Sequence, residues 1–175
     1  MSDTPQVTVL LSDDDGLGSP VSHDEMTLAL QTVLTAEGVE RPCAVSVSII
    51  GPDEMQGLNA EWRGIDAPTD VLSFECDSPF EGEVPADETV ELGDVMLCPE
   101  VIEAQAPTFG NTFVEEFRLM LVHGLLHLLG YDHVDEEGAL AMEARELEVL
   151  RALAESQGDD PDAVRIGPTT RHLDD

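Results

Sequence analysis

One segment leaves the chain little freedom. From Thr112 to Leu129, apolar residues such as Phe117, Leu121, Val122, Leu125 and Leu128 surround almost the whole circumference of a helix. Such a helix cannot lie on a surface; it must run through the centre of the fold, with the other elements packed around it. Into this apolar cylinder the sequence sets His123 and His127. Four residues apart, they project from one face on successive turns. Gly130 follows the last helical residue, where a left-handed conformation costs glycine little and turns the chain back. Tyr131, Asp132 and His133 can then approach the two preceding histidines, and three imidazoles can converge.

The run His123 to His133, HGLLHLLGYDH, has the spacing HxxxHxxGxxH and holds three of the chain's five histidines. Three imidazoles with an open fourth position suit a catalytic zinc ion, one per chain, that activates water for hydrolysis. The related metalloprotease pattern HExxHxxGxxH carries a glutamate where this chain has Gly124. In those enzymes the glutamate takes a proton from metal-bound water and passes it to the leaving amine, and glycine does neither. A peptidase is therefore disfavoured. Phosphodiester hydrolysis depends less on that shuttle, provided a cation neutralises charge on the phosphoryl oxygens.

A candidate cation lies upstream, in LNAEWRGIDAPTDVLSF from Leu58 to Phe74. Arg63 is one of only seven basic residues. Its planar fork suits bidentate contact with a phosphate, and a salt bridge to one of the many carboxylates is the competing reading. Asp66, Thr69 and Asp70, beside Pro68, have the composition of a loop.

The remaining segments outline one α+β domain in which a small mixed four-stranded sheet packs with helices around the histidine helix. Strands are expected at Val7–Ser12, Ala44–Ile50, Asp70–Cys76 and Leu92–Cys98. Helices are expected from Ser22, with Glu25 completing a capping box, to Gly38; over Asp53–Trp62; from Pro99 to Ala106; and from the acids Asp135, Glu136 and Glu137 onward. Residues 77–91 read as an acidic surface loop within a domain of residues 1–157, and 158–175 as an acidic flexible tail. His23 and His172 read as solvated. With 175 residues and 42% hydrophobic content there is enough for one core. The cysteines Cys43, Cys76 and Cys98 are too few and too widely spaced for a disulfide or metal framework and read as buried thiols.

Charge is the compositional anomaly, with 38 acids and no lysine for a formal net charge of -31. Two causes fit: a salt-rich cytoplasm, where a Debye length of about 3 Å at about 1 M salt silences carboxylate repulsion, or a basic partner protein. The N-terminus MSDTPQVTVLLSDDDG lacks the basic start of a secretory signal, and no apolar run is long enough for a membrane span, so a cytoplasmic protein is expected.

The motifs LNAEWRGIDAPTDVLSF, LGDVMLC and HGLLHLLGYDH, in this order over about residues 40–150, resemble the YbeY family of bacterial endoribonucleases. The resemblance implies a single-zinc hydrolase that cuts single-stranded RNA. It also implies work on the 3' end of small-subunit ribosomal RNA and in ribosome quality control, with the small subunit or its associated proteins as partners. By motif position it puts the zinc ligands at His123, His127 and His133, and the functional arginine at Arg63. Two features depart from an RNA-binding protein of this kind: the scarcity of basic residues, and the added acidic loop and tail. Residues 101–131 contain only Glu103, Glu115 and Glu116 as acids, so the site region is expected to be less negative than the whole. Asp132 could orient His133 or cap the turn; Tyr131 could stack on a base or cover the helix end.

Overall fold

The structure, a computed structural model, describes residues 6–80, 84–85, 87–131 and 135–164. Its sheet is mixed, as expected. Strand β1 (Val7–Ser12) pairs in parallel with β2 (Cys43–Ile49), and β2 in parallel with β4 (Val90–Leu97). Strand β3 (Val71–Glu75) pairs antiparallel with β4, giving the order β1-β2-β4-β3 with β3 at one edge. The parallel pair β1 and β2 needs a crossover, and α1 (His23–Ala36) supplies it. Helix α2 (Pro52–Arg63) leads from β2 to β3. Helix α3 (Pro99–Gln105) and a 3-10 turn (Ala106–Phe109) precede α4 (Phe113–Leu128), and α5 (Glu136–Ser156) follows it.

The sheet is covered unequally. On one face Val45, Val47 and Val95 join Leu30 of α1, Phe117 and Leu121 of α4, and Val149 of α5 in the main core. On the other, Ile50, Met55, Leu72 and Cys98 form a small cluster under α2 at the β3 end. As its composition demanded, α4 is buried nearly all round.

Several boundaries and partners differ from expectation. Strand β4 begins at Val90, because Val90 is fully buried and pairs with Cys43; the last two residues of the acidic 77–91 segment therefore belong to the sheet. Residues 81–83 and 86 of that segment lie outside the described residues. Next to them, Arg41 Nη2 donates to the carbonyls of Val84 at 3.1 Å and Pro85 at 2.6 Å. Ser22 caps α1 by accepting from Glu25 N, but the Glu25 carboxylate does not close the box. It takes Arg118 of α4 instead, at 2.7 Å to Nε and 3.1 Å to Nη2, since a bidentate charged pair is the stronger contact. A full capping box forms at Thr112 and Glu115, opening α4. His23 is exposed, yet its Nε2 lies 2.6 Å from the Val9 carbonyl, which ties α1 to β1. Beyond α5, Val164 packs against the core; residues 165–175, including His172, lie outside the described residues. Among the described residues, no helix is long and apolar enough to cross a membrane.

A buried polar bridge secures the start of β3. Gln105 Nε2 donates to Asp70 Oδ2 and to Glu116 Oε2, both at 2.8 Å, while Asn111 Nδ2 donates to Glu116 Oε1 at 2.9 Å. Asp70 Oδ1 accepts from Val71 N at 2.7 Å. The end of α3 and the start of α4 are thereby joined to the strand that borders the histidines.

Cys43 and Cys98 are buried, but Cys76 is exposed just beyond β3, where the sheet no longer covers its side chain. Burial pushes the Cys43 thiol up to about 11 and raises Cys98 too; the charge of Asp77 chiefly raises Cys76. Because the thiolate is the reactive form, a disulfide-exchange reagent at about pH 8 is expected to modify one thiol of the folded chain, and slowly. Mass mapping should find that label on Cys76, and denaturant should expose all three.

Candidate active site

Helix α4 meets the sheet at Gly124. A Cβ there would stand 2.8 Å from Val95 Cγ1, 3.1 Å from Ser73 Oγ and 3.2 Å from Val71 Cγ2. The Ser73 hydroxyl donates to the Gly124 carbonyl at 3.0 Å, so backbone and strand are in direct contact. This explains the glycine in the histidine motif: a glutamate at this position would have to displace the helix from β3 and β4. Gly124→Ala is expected to cost about 1–3 kcal/mol of stability in urea unfolding, the range of overpacked cores. Gly124→Glu should cost more and yield no peptidase activity in a casein assay.

One residue before and three after this contact, His123 and His127 face the β3 edge. His123 is 2% exposed and His127 partly so. Their Nε2 atoms lie 3.1 Å apart, with the rings at 84°. Two imidazole nitrogens at that distance share either a proton or a cation. Zinc–nitrogen bonds of about 2.0–2.1 Å at a tetrahedral angle set two ligand nitrogens about 3.3 Å apart, so the pair fits two corners of such a site. His133 and Asp132 lie outside the described residues. Among the described residues no group of three or more His, Cys, Asp or Glu is arranged to hold a metal.

A carboxylate absent from the expected site stands behind His123. Glu146 of α5 is fully buried, and its Oε1 lies 3.0 Å from His123 Nδ1. An ionised carboxylate only accepts, so the proton of a neutral His123 sits on Nδ1 and Nε2 keeps its lone pair toward His127. Sequence reasoning missed Glu146 because it is 23 residues from His123 on another helix. A signal existed: Glu143 and Glu146 interrupt the buried stripe of Ala139, Met142, Val149 and Leu150 on α5, where acids are out of place. The local acidity is correspondingly greater than the scarcity of acids in 101–131 suggested.

Arg63 comes to the same place. It is the last residue of α2, exposed, and Gly64 ends the helix in a left-handed conformation. Arg63, Val71, Leu72, Ser73, Glu75, His123 and His127 line one cavity of about 200 Å³. Arg63 makes no ion pair with any described residue, unlike Arg118 and Arg145. Asp66 accepts from Gln56 Nε2 at 2.9 Å and Thr69 donates to Asp70 at 3.2 Å, so these residues shape the loop between α2 and β3. After α4, Gly130 N bonds His127 O and Tyr131 N bonds Leu126 O, the turn expected at that glycine. The Tyr131 hydroxyl donates to Glu37 at 3.0 Å and accepts from Arg145 Nε at 3.3 Å, so the ring ties the helix end to α1 and α5.

Among solved structures, the chain is similar to the solution structure of TM1509 from Thermotoga maritima. The TM-score is 0.59 at 26% identity, covering 91% of this chain and 99% of that one. Endoribonuclease YbeY of Salinispora tropica is 40% identical over 141 residues, 77% of this chain and 87% of the relative. The Bacillus subtilis protein of that name is 37% identical over 143 residues, 80% of this chain and 91% of the relative. A family model described as endoribonuclease YbeY matches residues 18–154. The chain is thus a nuclease, a hydrolase of phosphodiester bonds. It belongs to the endoribonuclease YbeY family.

Proposed function

We propose that this chain is a single-strand-specific, zinc-dependent endoribonuclease of the cytoplasm that acts in 3' end maturation of small-subunit ribosomal RNA and in ribosome quality control. Residues 1–157 are its catalytic domain and 158–175 an acidic tail. The observation that carries the reading is the pair of Nε2 atoms of His123 and His127, 3.1 Å apart in a cavity that Arg63 also lines. The ribosomal substrate and the small-subunit partner rest on the family resemblance.

His123, His127 and His133 would hold the ion. When bound, zinc acts as a Lewis acid and lowers the pKa of its water toward about 7. Glu146 keeps His123 in the tautomer and orientation that offer Nε2 to the cavity. Arg63 meets the phosphoryl oxygens, and its fixed positive charge offsets what builds up on them as the bond breaks. Ser73 and Val71 hold the floor of the cavity against α4.

Purified chain in about 1 M salt, where screening is nearly complete, is expected to cut single-stranded RNA and leave duplex RNA and casein intact. A chelator should abolish cleavage and added zinc restore it. His127→Ala should reduce cleavage to background, and Arg63→Ala should lower kcat about 100-fold, the size of losing one charge-stabilising donor. Cleavage that survives His127→Ala rejects the zinc mechanism.

Glu146 has a separate readout. Glu146→Ala should weaken zinc binding about 10- to 100-fold in chelator competition, and Glu146→Gln, which keeps an acceptor toward Nδ1, should weaken it less.

A further inference from the structure

Trp62 is the chain's single tryptophan and is 63% exposed. One exposed apolar side chain needs no purpose in itself; what distinguishes this one is its position. It lies in the last turn of α2, one residue before Arg63. Its ring meets Phe74 edge-on, with centroids 5.6 Å apart and planes at 64°. Phe74 sits in β3 between Ser73 and Glu75, both of which line the histidine cavity, and it packs on the small cluster beneath α2. Alternation along β3 turns Phe74 away from the face of Ser73 and Glu75, so the indole is anchored on the α2 side of that edge strand, next in the chain to the cavity-lining Arg63, while most of its surface stays in water.

Charge sharpens the point. A polyanionic substrate approaches a chain of formal charge -31, and among the described residues the only arginine lining the cavity is Arg63, with Glu75 on the same wall. In strong salt the counterion-release contribution to RNA affinity fades. Stacking of a base on an aromatic ring needs no net charge and persists.

We infer that Trp62 is the platform on which an unpaired base of the RNA stacks, beside the phosphate that Arg63 holds. A base inside a duplex offers no free face to this ring, so the contact also selects for single strands. The inference rests on the endoribonuclease reading above and names a specificity residue within it.

Because Trp62 is the sole tryptophan, its fluorescence reports on this ring alone. In the full-length chain carrying His127→Ala to prevent cleavage, a single-stranded RNA of about ten nucleotides, within the site sizes of such grooves, should quench the emission saturably. Its duplex and inorganic polyphosphate should not. In the cleavage assay Trp62→Ala should raise KM about 10-fold with kcat little changed, and Trp62→Phe should restore most of the loss. The Trp62→Ala deficit should stay constant between about 0.2 M and 2 M salt, while the Arg63→Ala deficit in KM shrinks as screening grows. Cleavage with an unchanged KM in Trp62→Ala, or with no fluorescence response to the single strand, overturns the inference and leaves the nuclease reading standing; the ring then serves another partner. No cleavage by the unaltered chain removes the nuclease reading instead, and the fluorescence response alone decides the stacking.

Discussion

The contact of α4 with the sheet at Gly124 sets the geometry on which the site depends. With no side chain between them, helix backbone and strand come close enough for Ser73 to bond the Gly124 carbonyl. That separation determines how far His123 and His127 stand from β3, and so whether they share a cavity with a residue arriving from α2 on the other face. A bulkier residue would lift both imidazoles together. The apolar circumference of α4 has the same origin: a helix seated on the sheet at one side and covered by α1, α3 and α5 keeps few polar residues, the two histidines of the site and, in its first turns, Glu115, Glu116 and Arg118, which cap it or tie it to its neighbours.

Positive charge is scarce, and the described arginines show where it is placed. Arg118 joins α4 to α1 through Glu25; Arg145 joins α5 to α1 through Glu37, with Glu148 and Tyr131 alongside. Arg41 holds backbone carbonyls beside β4. These three are held by partners within the fold, and hydrogen bonding to the partner carboxylate or hydroxyl raises the Arg118 and Arg145 guanidinium pKa values further above their ordinary level. Arg151 is exposed on α5, and Arg63 differs from all of these in facing the histidine cavity with its charge uncommitted to any described carboxylate.

What could be read from the sequence was whatever repeats at short range. The 3.6-residue period exposed α4 and its two histidines, the two-residue period exposed β2, and glycine after the last apolar turn marked the end of α4. Arg63 stood out because lysine is absent and arginine rare. Contacts between distant residues left no such trace. Glu25 could be read as closing a box with Ser22 because nothing local announces Arg118, 93 positions away. Glu146 was invisible for the same reason, although an acid in an apolar stripe was a hint. Val90 was assigned to the loop because acidic neighbours hid the alternation Val90, Glu91, Leu92 that continues β4 upstream.

Strand β3 lies at the sheet edge, beside the cavity. A covering strand there would close the site, so the backbone groups along that side must stay open, and an open edge is a template for pairing with another copy of the chain. Glu75 on the strand and the acids just beyond it put like charges on any two such edges that meet. The acidity that hinders an RNA substrate thus also works against aggregation, and a variant made less acidic to bind nucleic acid better would become more prone to self-association.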